Sequence, residues 1–239
     1  MNVTTKVVPK IMGSANFRTF RCLWMLEELG IEYEHVPSAS PQSEQVKKYN
    51  PLGKVPVLIE DNEFALYESG AILTYLGDRY DANNNSGNKK LSPPLVPRAG
   101  TRERGLYDQT MSVLLTELDA QGLWIHRKHE ALGGIFTFIP EAVEHAKKYF
   151  SKTNRVLLQQ IKNQGPYLLG PAFSGVDIVY IHCLDWSKSI GWNDRWKDDP
   201  TLQGYLELCK SRPAYIRTKQ IRSNEQSRNK AAADLQNKL

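Results

Sequence analysis

Residues 50–70 read NPLGKVPVLIEDNEFALYESG and constrain the fold of this chain more than any other stretch. Two short apolar runs, residues 55–59 and 64–67, flank the polar segment 60–63, which is the pattern of a β-hairpin. Pro56 stands inside the first run. A proline removes a ladder donor, so it implies an edge, a strand start or a bulge. One way to keep it is a cis Val55–Pro56 bond, which turns the N–H and C=O of Val55 outward; among residues, only proline takes the cis form readily. Glu68, Ser69 and Gly70 follow, with Ala71, Ile72, Tyr75 and Leu76 at helical spacing behind them. Glu68 and Ser69 therefore fall at a helix N-terminus, where free N–H groups and the positive end of the dipole hold an anion.

The chain before this stretch reads as strand, helix, strand. Residues 7–12 form a candidate first strand, interrupted by Pro9. Residues 16–29 form a helix that Phe17, Phe20, Leu23, Trp24, Met25 and Leu26 make apolar on most sides, as a buried helix requires. Glu27 and Glu28 mark an exposed end and Gly30 suits the C′ position. Residues 31–36 alternate as a second strand, parallel to the first across the helix. Residues 37–49 are polar and read as a short irregular helix or loop. A third helix runs from Glu68 to about Tyr80.

Two motifs at this spacing, NPLGKVPVL and YESGAI, closely resemble the glutathione-binding half of cytosolic glutathione transferases. The resemblance is strong over residues 6–80 and weaker to about residue 216. It implies an α/β plus all-α architecture: an N-terminal thioredoxin-like βαβαββα domain followed by a C-terminal all-helical bundle. The expected divisions are residues 1–82 for the first domain, 83–99 for a linker, 100–219 for the helical domain and 220–239 for a polar tail that forms a frayed helix or is disordered. The segment 82–90 is poor in apolar residues and is followed by Pro93, Pro94 and Pro97, which marks the linker. Beyond it, residues 101–128 and 140–164 have helical periodicity, broken at Gly133 and Gly134. Ser174 with Asp177 three residues on reads as a capping box, so Asp177 is assigned to folding rather than chemistry.

The resemblance also implies a chemistry. A free thiol with a pKa near 8.5 is mostly protonated at neutral pH, and only the thiolate is a good nucleophile. A donor at the end of the first strand, aided by the following helix N-terminus, stabilises the anion. Relatives place Tyr, Ser or Cys there. Here the stretch is GSANFRTFR, residues 13–21. Counting back from Gly30, the position of the serine in theta-, delta- and tau-like enzymes falls on Asn16, and the next position is Phe17. The N-x-R-x-x-R pattern resembles the NSRxxR-type transferases of bacteria and fungi. Asn16 is the first candidate donor; it can donate a hydrogen bond but cannot act as a general base. Ser14 is the second, and Arg18 adds positive charge. Both Ser14 and Asn16 are also favoured N-cap types. Cys22 lies well inside the helix and reads as a buried, inert thiol.

By the same resemblance, Val55, before the cis Pro56, pairs its backbone with the cysteinyl part of glutathione. Lys54 meets the glycyl carboxylate, Glu68 the α-amino group and Ser69 the γ-glutamyl carboxylate. Phe17, Arg18 and Pro56 are further expected glutathione contacts. A second-substrate pocket against the helical domain is expected at Tyr107, Trp124 and Arg127, with Phe136 a further candidate, whereas Trp186, Trp192 and Trp196 read as packing.

Composition sets the remaining bounds. With 239 residues, 41% hydrophobic and 24% charged, the chain is globular, and no run is apolar enough to span a bilayer. The N-terminus lacks the apolar core of a signal peptide, so a cytoplasmic protein is expected. Cys22, Cys183 and Cys209 are too widely spaced for a disulfide framework or a zinc site, so no metal is expected. A net charge of +5 falls short of a nucleic-acid signature. The expectation is a glutathione transferase that attacks a small electrophile, with glutathione as co-substrate, no tightly bound cofactor, no nucleic-acid or membrane partner, and a homodimeric state by resemblance. The alternatives are a glutathione-dependent disulfide reductase or peroxidase, and a non-catalytic binding or scaffold protein of the same fold.

Overall fold

The computed structural model describes residues 8–37, 40–60, 64–80, 93–194 and 196–236. The N-terminal elements are β1 (Lys10–Met12), α1 (Thr19–Leu29), β2 (Glu34–Val36), α2 (Glu44–Lys47), β3 (Val57–Ile59), β4 (Ala65–Tyr67) and α3 (Ser69–Tyr80). The four strands form one sheet in the order β2-β1-β3-β4. β1 runs parallel to β2, with Ile11 opposite His35, and antiparallel to β3, with Ile11 opposite Leu58. β3 and β4 are the expected hairpin, with Leu58 opposite Leu66. Its turn, residues 61–63, lies outside the described residues, as do residue 7 of the first strand and most of the linker. This is the thioredoxin-like arrangement.

The apolar residues of α1 account for its place in the fold. Phe20, Leu23, Trp24, Met25 and Leu26 are all buried. The helix starts at Thr19, not at residue 16. Residues 15–18 form tight turns in which Phe20 and Arg21 donate to the carbonyls of Phe17 and Arg18, at 3.1 Å each. Arg18 occupies the N-cap without a side-chain capping bond, so neither Ser14 nor Asn16 is a cap. Gly30 takes the left-handed conformation at the C-terminus, as expected.

The second set of elements is α4 (Arg102–Val113), a π-helical stretch (Leu114–Leu123), α5 (Trp124–His126), a second π-helical stretch (Arg127–Ala131), α6 (Pro140–Gln164), α7 (Gly175–Ser189) and α8 (Pro200–Lys210). From Arg102 to Ala131 the backbone is helical throughout, with its hydrogen bonds shifted to the wider π pattern over two stretches. α7 is the buried centre of this unit, with Val176, Ile178, Val179, Tyr180, Ile181 and Cys183 fully buried. Asp177 opens it. One carboxylate oxygen accepts from the N–H and hydroxyl of Ser174 (2.9 and 3.1 Å), and the other from the Leu168 N–H and the Tyr205 hydroxyl (3.0 and 2.9 Å). Burial pushes its carboxyl above the usual range, and these four donors oppose that shift. With all four places taken, Asp177 holds the fold together.

From residue 220, where a frayed helix or disorder is expected, the chain continues as an ordered helix to Gln236. A single helix, α9, runs Pro213–Gln236 and packs on α1. The chain accordingly divides into two compact units, Met1–Lys90 with Ser211–Leu239, and Leu91–Lys210. Ala214, Tyr215, Thr218 and Glu225 are the buried stripe of α9. Tyr215 meets Trp24 and Phe20 edge-on, at ring distances of 4.9 and 5.9 Å. Glu27 and Glu28 were expected at an exposed helix end; they instead anchor α9. Arg212 grips Glu28 with two bonds (2.6 and 2.7 Å), and the indole of Trp24 donates to the same carboxylate at 2.9 Å. Arg217 donates to Glu27 at 2.5 Å, and the Tyr33 hydroxyl does so at 2.7 Å. A carboxylate can sit this deep because each is met by an arginine and a second donor.

Candidate functional site

The turn between β1 and α1 begins at Gly13, whose φ of 117° is available to glycine at low cost. A Cβ built there would lie 2.5 Å from the Thr19 hydroxyl oxygen and 2.7 Å from the Val55 Cβ, so the backbone passes tightly between these two side chains. Its N–H donates to the Val36 carbonyl (3.0 Å) and its own carbonyl meets His35 Nε2 (2.9 Å), which ties the turn to β2. Glycine at this position therefore brings the turn directly against the segment that carries the Val55–Pro56 bond, which is cis.

Ser14 and Asn16 lie in that turn as a connected pair. The Ser14 hydroxyl oxygen accepts two bonds, from the backbone N–H of Asn16 and from its side-chain Nδ2, both at 3.1 Å. A hydroxyl has two acceptor lone pairs and one hydrogen. Both lone pairs are used, and among the described residues the hydrogen of Ser14 is donated to none. The arrangement is that of a polarised hydroxyl with a hydrogen to offer. Asn16, the first candidate, has its amide nitrogen turned to Ser14 and its Oδ1 accepting from Gln226 Nε2 at 2.6 Å. The N–H of Ala15, between them, donates to the buried carboxylate of Glu225 at 2.9 Å. Both partners come from α9. The Arg222 guanidinium lies 4.3 Å from the Phe20 ring centre and holds the same turn of α9 on α1. Phe17 and Arg18 are half-buried beside the pair.

The second half of the site is the start of α3. Glu68 has a φ of 71°, the left-handed region that a residue with a side chain enters only at a cost of order 1–3 kcal/mol. It is exposed, and its carbonyl accepts the first helical bond, from Ile72. Ser69 is buried, and its hydroxyl accepts from Arg21 Nη1 at 3.2 Å. Arg21 is fully buried. A guanidinium at the foot of a helix N-terminus adds a whole positive charge to the partial charge of the dipole, which suits a carboxylate ligand. Arg21 and the α9 residues Glu225 and Gln226 were not among the expected site residues. Arg21 is visible in the sequence as the second arginine of N-x-R-x-x-R; the α9 residues carry no comparable local signal.

Lys54 is exposed at the end of the loop before Val55. Buried Asn50 ties that loop together, accepting from the Leu52 N–H (3.0 Å) and donating to the Lys54 carbonyl (2.8 Å). Pro56 is buried and Val55 half-buried. Cys22 is fully buried, and burial pushes its thiol far above the usual range, so it is inert as read. Among the described residues, no group of three or more His, Cys, Asp or Glu is placed to hold a metal, and no helix is long and apolar enough to cross a membrane.

The three residues expected around the second substrate belong to the helical unit. Tyr107 is fully buried under Gly175, where an added Cβ would come within 2.6 Å of its hydroxyl; it is core, not pocket lining. Trp124 and Arg127 are half-buried on the long helical run. Trp192 packs edge-on against His126 and Phe150, as expected of a packing residue.

A thioredoxin-like sheet with a polar turn after β1, a cis-proline segment and a helix N-terminus backed by arginine is the arrangement expected of the N-terminal half of the glutathione transferase fold. Residues 12–78 match the glutathione S-transferase N-terminal domain, and residues 141–216 match the glutathione S-transferase C-terminal domain. The chain belongs to the cytosolic glutathione transferase superfamily. It is 29% identical over 222 residues to glutathione S-transferase hmp2 of Hypomyces subiculosus, covering 88% of this chain and 97% of that one. It is also 29% identical over 185 residues to glutathione S-transferase PM239X14 of Arabidopsis thaliana, covering 73% and 79%. Among solved structures it shares its fold with the glutathione transferase URE2P8 of Phanerochaete chrysosporium, crystallised with oxidized glutathione: TM-score 0.74, 22% identity, 94% of this chain and 99% of that one.

Proposed function

We propose that this protein is a glutathione transferase in which Ser14 gives the activating hydrogen bond to the thiolate and Asn16 positions Ser14. The observation that carries the assignment is the pair of bonds from Asn16 into the Ser14 oxygen, which leaves the hydroxyl hydrogen as its one remaining function. Glutathione binds with its γ-glutamyl carboxylate at the α3 N-terminus above Arg21, its α-amino group at Glu68, its cysteinyl backbone against Val55 and its glycyl carboxylate near Lys54. The thiol proton leaves to solvent. The sulfur lone pair then forms a bond to an electrophilic carbon, and a leaving group departs with its electron pair or, in an addition, the adjacent atom takes a proton. No tightly bound cofactor has a part in this chemistry. The chain is proposed to act as a homodimer in the cytoplasm.

The test is the ultraviolet absorbance of the thiolate of bound glutathione, titrated over pH, together with conjugation of an activated aryl halide. The bound thiol is expected to ionise well below the free value. Ser14→Ala should return it towards that value and lower kcat/KM by about 100-fold, the effect of removing one well-placed donor from an anion. Asn16→Ala should have the smaller effect. Binding without a lowered thiol pKa would leave the scaffold reading. Turnover of a hydroperoxide or disulfide in place of the aryl halide would favour the redox one.

A further inference from the structure

The C-terminal helix reaches the thiol-activating turn at two adjacent residues, and the direction of each bond matters. Gln226 donates its amide N–H to Asn16 Oδ1 at 2.6 Å. An amide side chain has one acceptor end and one donor end. Fixing the Oδ1 of Asn16 on Gln226 leaves its Nδ2 to face Ser14, where it donates at 3.1 Å. Had Asn16 been reversed, its oxygen would face Ser14 and take the hydroxyl hydrogen for itself. The orientation of Asn16 therefore decides whether Ser14 has a hydrogen to give. Glu225, buried, accepts the N–H of Ala15 at 2.9 Å and keeps the backbone between the two residues in register with α9.

We propose that Gln226 and Glu225 are positioning residues for thiol activation: α9 sets the donor direction of a Gln226–Asn16–Ser14 chain that ends on the glutathione sulfur. The inference rests on the reading of Ser14 as the thiolate donor. Chains of hydrogen bonds polarise one another, so the first link, Gln226 to Asn16, affects the last. Gln226 and Asn16 are both exposed, so the contact contributes little to stability and its loss reads out in the chemistry.

The test uses the full-length protein with Gln226→Lys, Gln226→Ala and Gln226→Glu, reading the bound thiol pKa, the glutathione Kd and the melting temperature. Lysine still donates and should behave as wild type. Alanine frees the Asn16 amide and should lower kcat/KM by roughly threefold to tenfold, the effect of losing about one hydrogen bond. Glutamate can only accept, so it should reverse Asn16 and give the highest thiol pKa of the series. Kd and melting temperature should stay near wild type. In a Ser14→Ala background the three substitutions should have no further effect on the thiol pKa, because coupled residues are not additive. Glu225→Gln, which keeps an acceptor for Ala15, should preserve the lowered pKa, and Glu225→Ala should raise it. A lowered pKa in wild type that none of the Gln226 variants moves would overturn the inference and leave the transferase reading standing. A wild-type thiol that is not lowered at all would remove both.

Discussion

At the scale of single residues, the site is a set of polar groups whose partners are almost all assigned, and Thr19 is the exception. Its hydroxyl is buried against Gly13 and Val55 and has no hydrogen-bond partner among the described residues. Thr19→Val keeps the shape and removes an unpaired polar atom. It is expected to stabilise the protein by about 1 kcal/mol, measured by the urea midpoint. Arg21 is the opposite case, a buried charge with a defined partner. Arg21→Lys keeps the charge but loses the planar fork, and should weaken glutathione binding about tenfold by calorimetry. Arg21 was legible only in part. The sequence shows the arginine, but its burial and its bond to Ser69 depend on how α1 meets α3. The Glu68–Ser69 helix start and the cis option at Pro56 were legible, because each is written in a few adjacent residues; the left-handed backbone of Glu68 was not.

At the scale of elements, most of the N-terminal half could be read from periodicity, and α9 could not. The reason is the make-up of its buried face. Thr218 and Glu225 lie on that face and are polar: Thr218 donates to the Ala214 carbonyl of its own helix and Glu225 accepts from Ala15 in the turn before α1, while Arg212, Arg217 and Arg222 find partners on α1. Such a helix has no hydrophobic period, so composition alone points to a frayed helix or disorder. The Arg212–Glu28 pair is the main tether, with the Glu28 side chain only 8% exposed. Arg212→Ala leaves that carboxylate short of a cation and should cost about 2–3 kcal/mol in chemical denaturation. The same substitution in Glu28→Gln should cost much less, because no buried charge is then left behind.

At the scale of the whole molecule, the two units are expected to differ in their response to acid. In the helical unit, His126 is buried with its edge on Trp192, its Nδ1 has no partner among the described residues, and Glu130 lies 3.6 Å from Nε2. Burial lowers its pKa and Glu130 partly opposes this. A histidine whose folded pKa is depressed contributes stability above its unfolded value, near 6.5, and loses it as pH falls through the lowered value. The denaturation midpoint of wild type should therefore fall towards that of His126→Gln between pH 7 and pH 5. A constant difference between the two proteins would show that His126 does not titrate in this range.

Ala15 and Glu225 are 210 positions apart in the chain yet belong to one unit. A ribosome adding about 5–20 residues per second takes roughly 10–40 s to pass from one to the other. For that interval the sheet and α1 can form, but the face of Phe20 and Trp24 that receives Tyr215 stays uncovered, and nothing yet orients Asn16. The β1–α1 turn thus lacks its Glu225 and Gln226 contacts until the entire helical unit has been made. On the proposed reading, a chain cut short before α9 keeps Ser14 and is expected to lower the thiol pKa less than the full chain does.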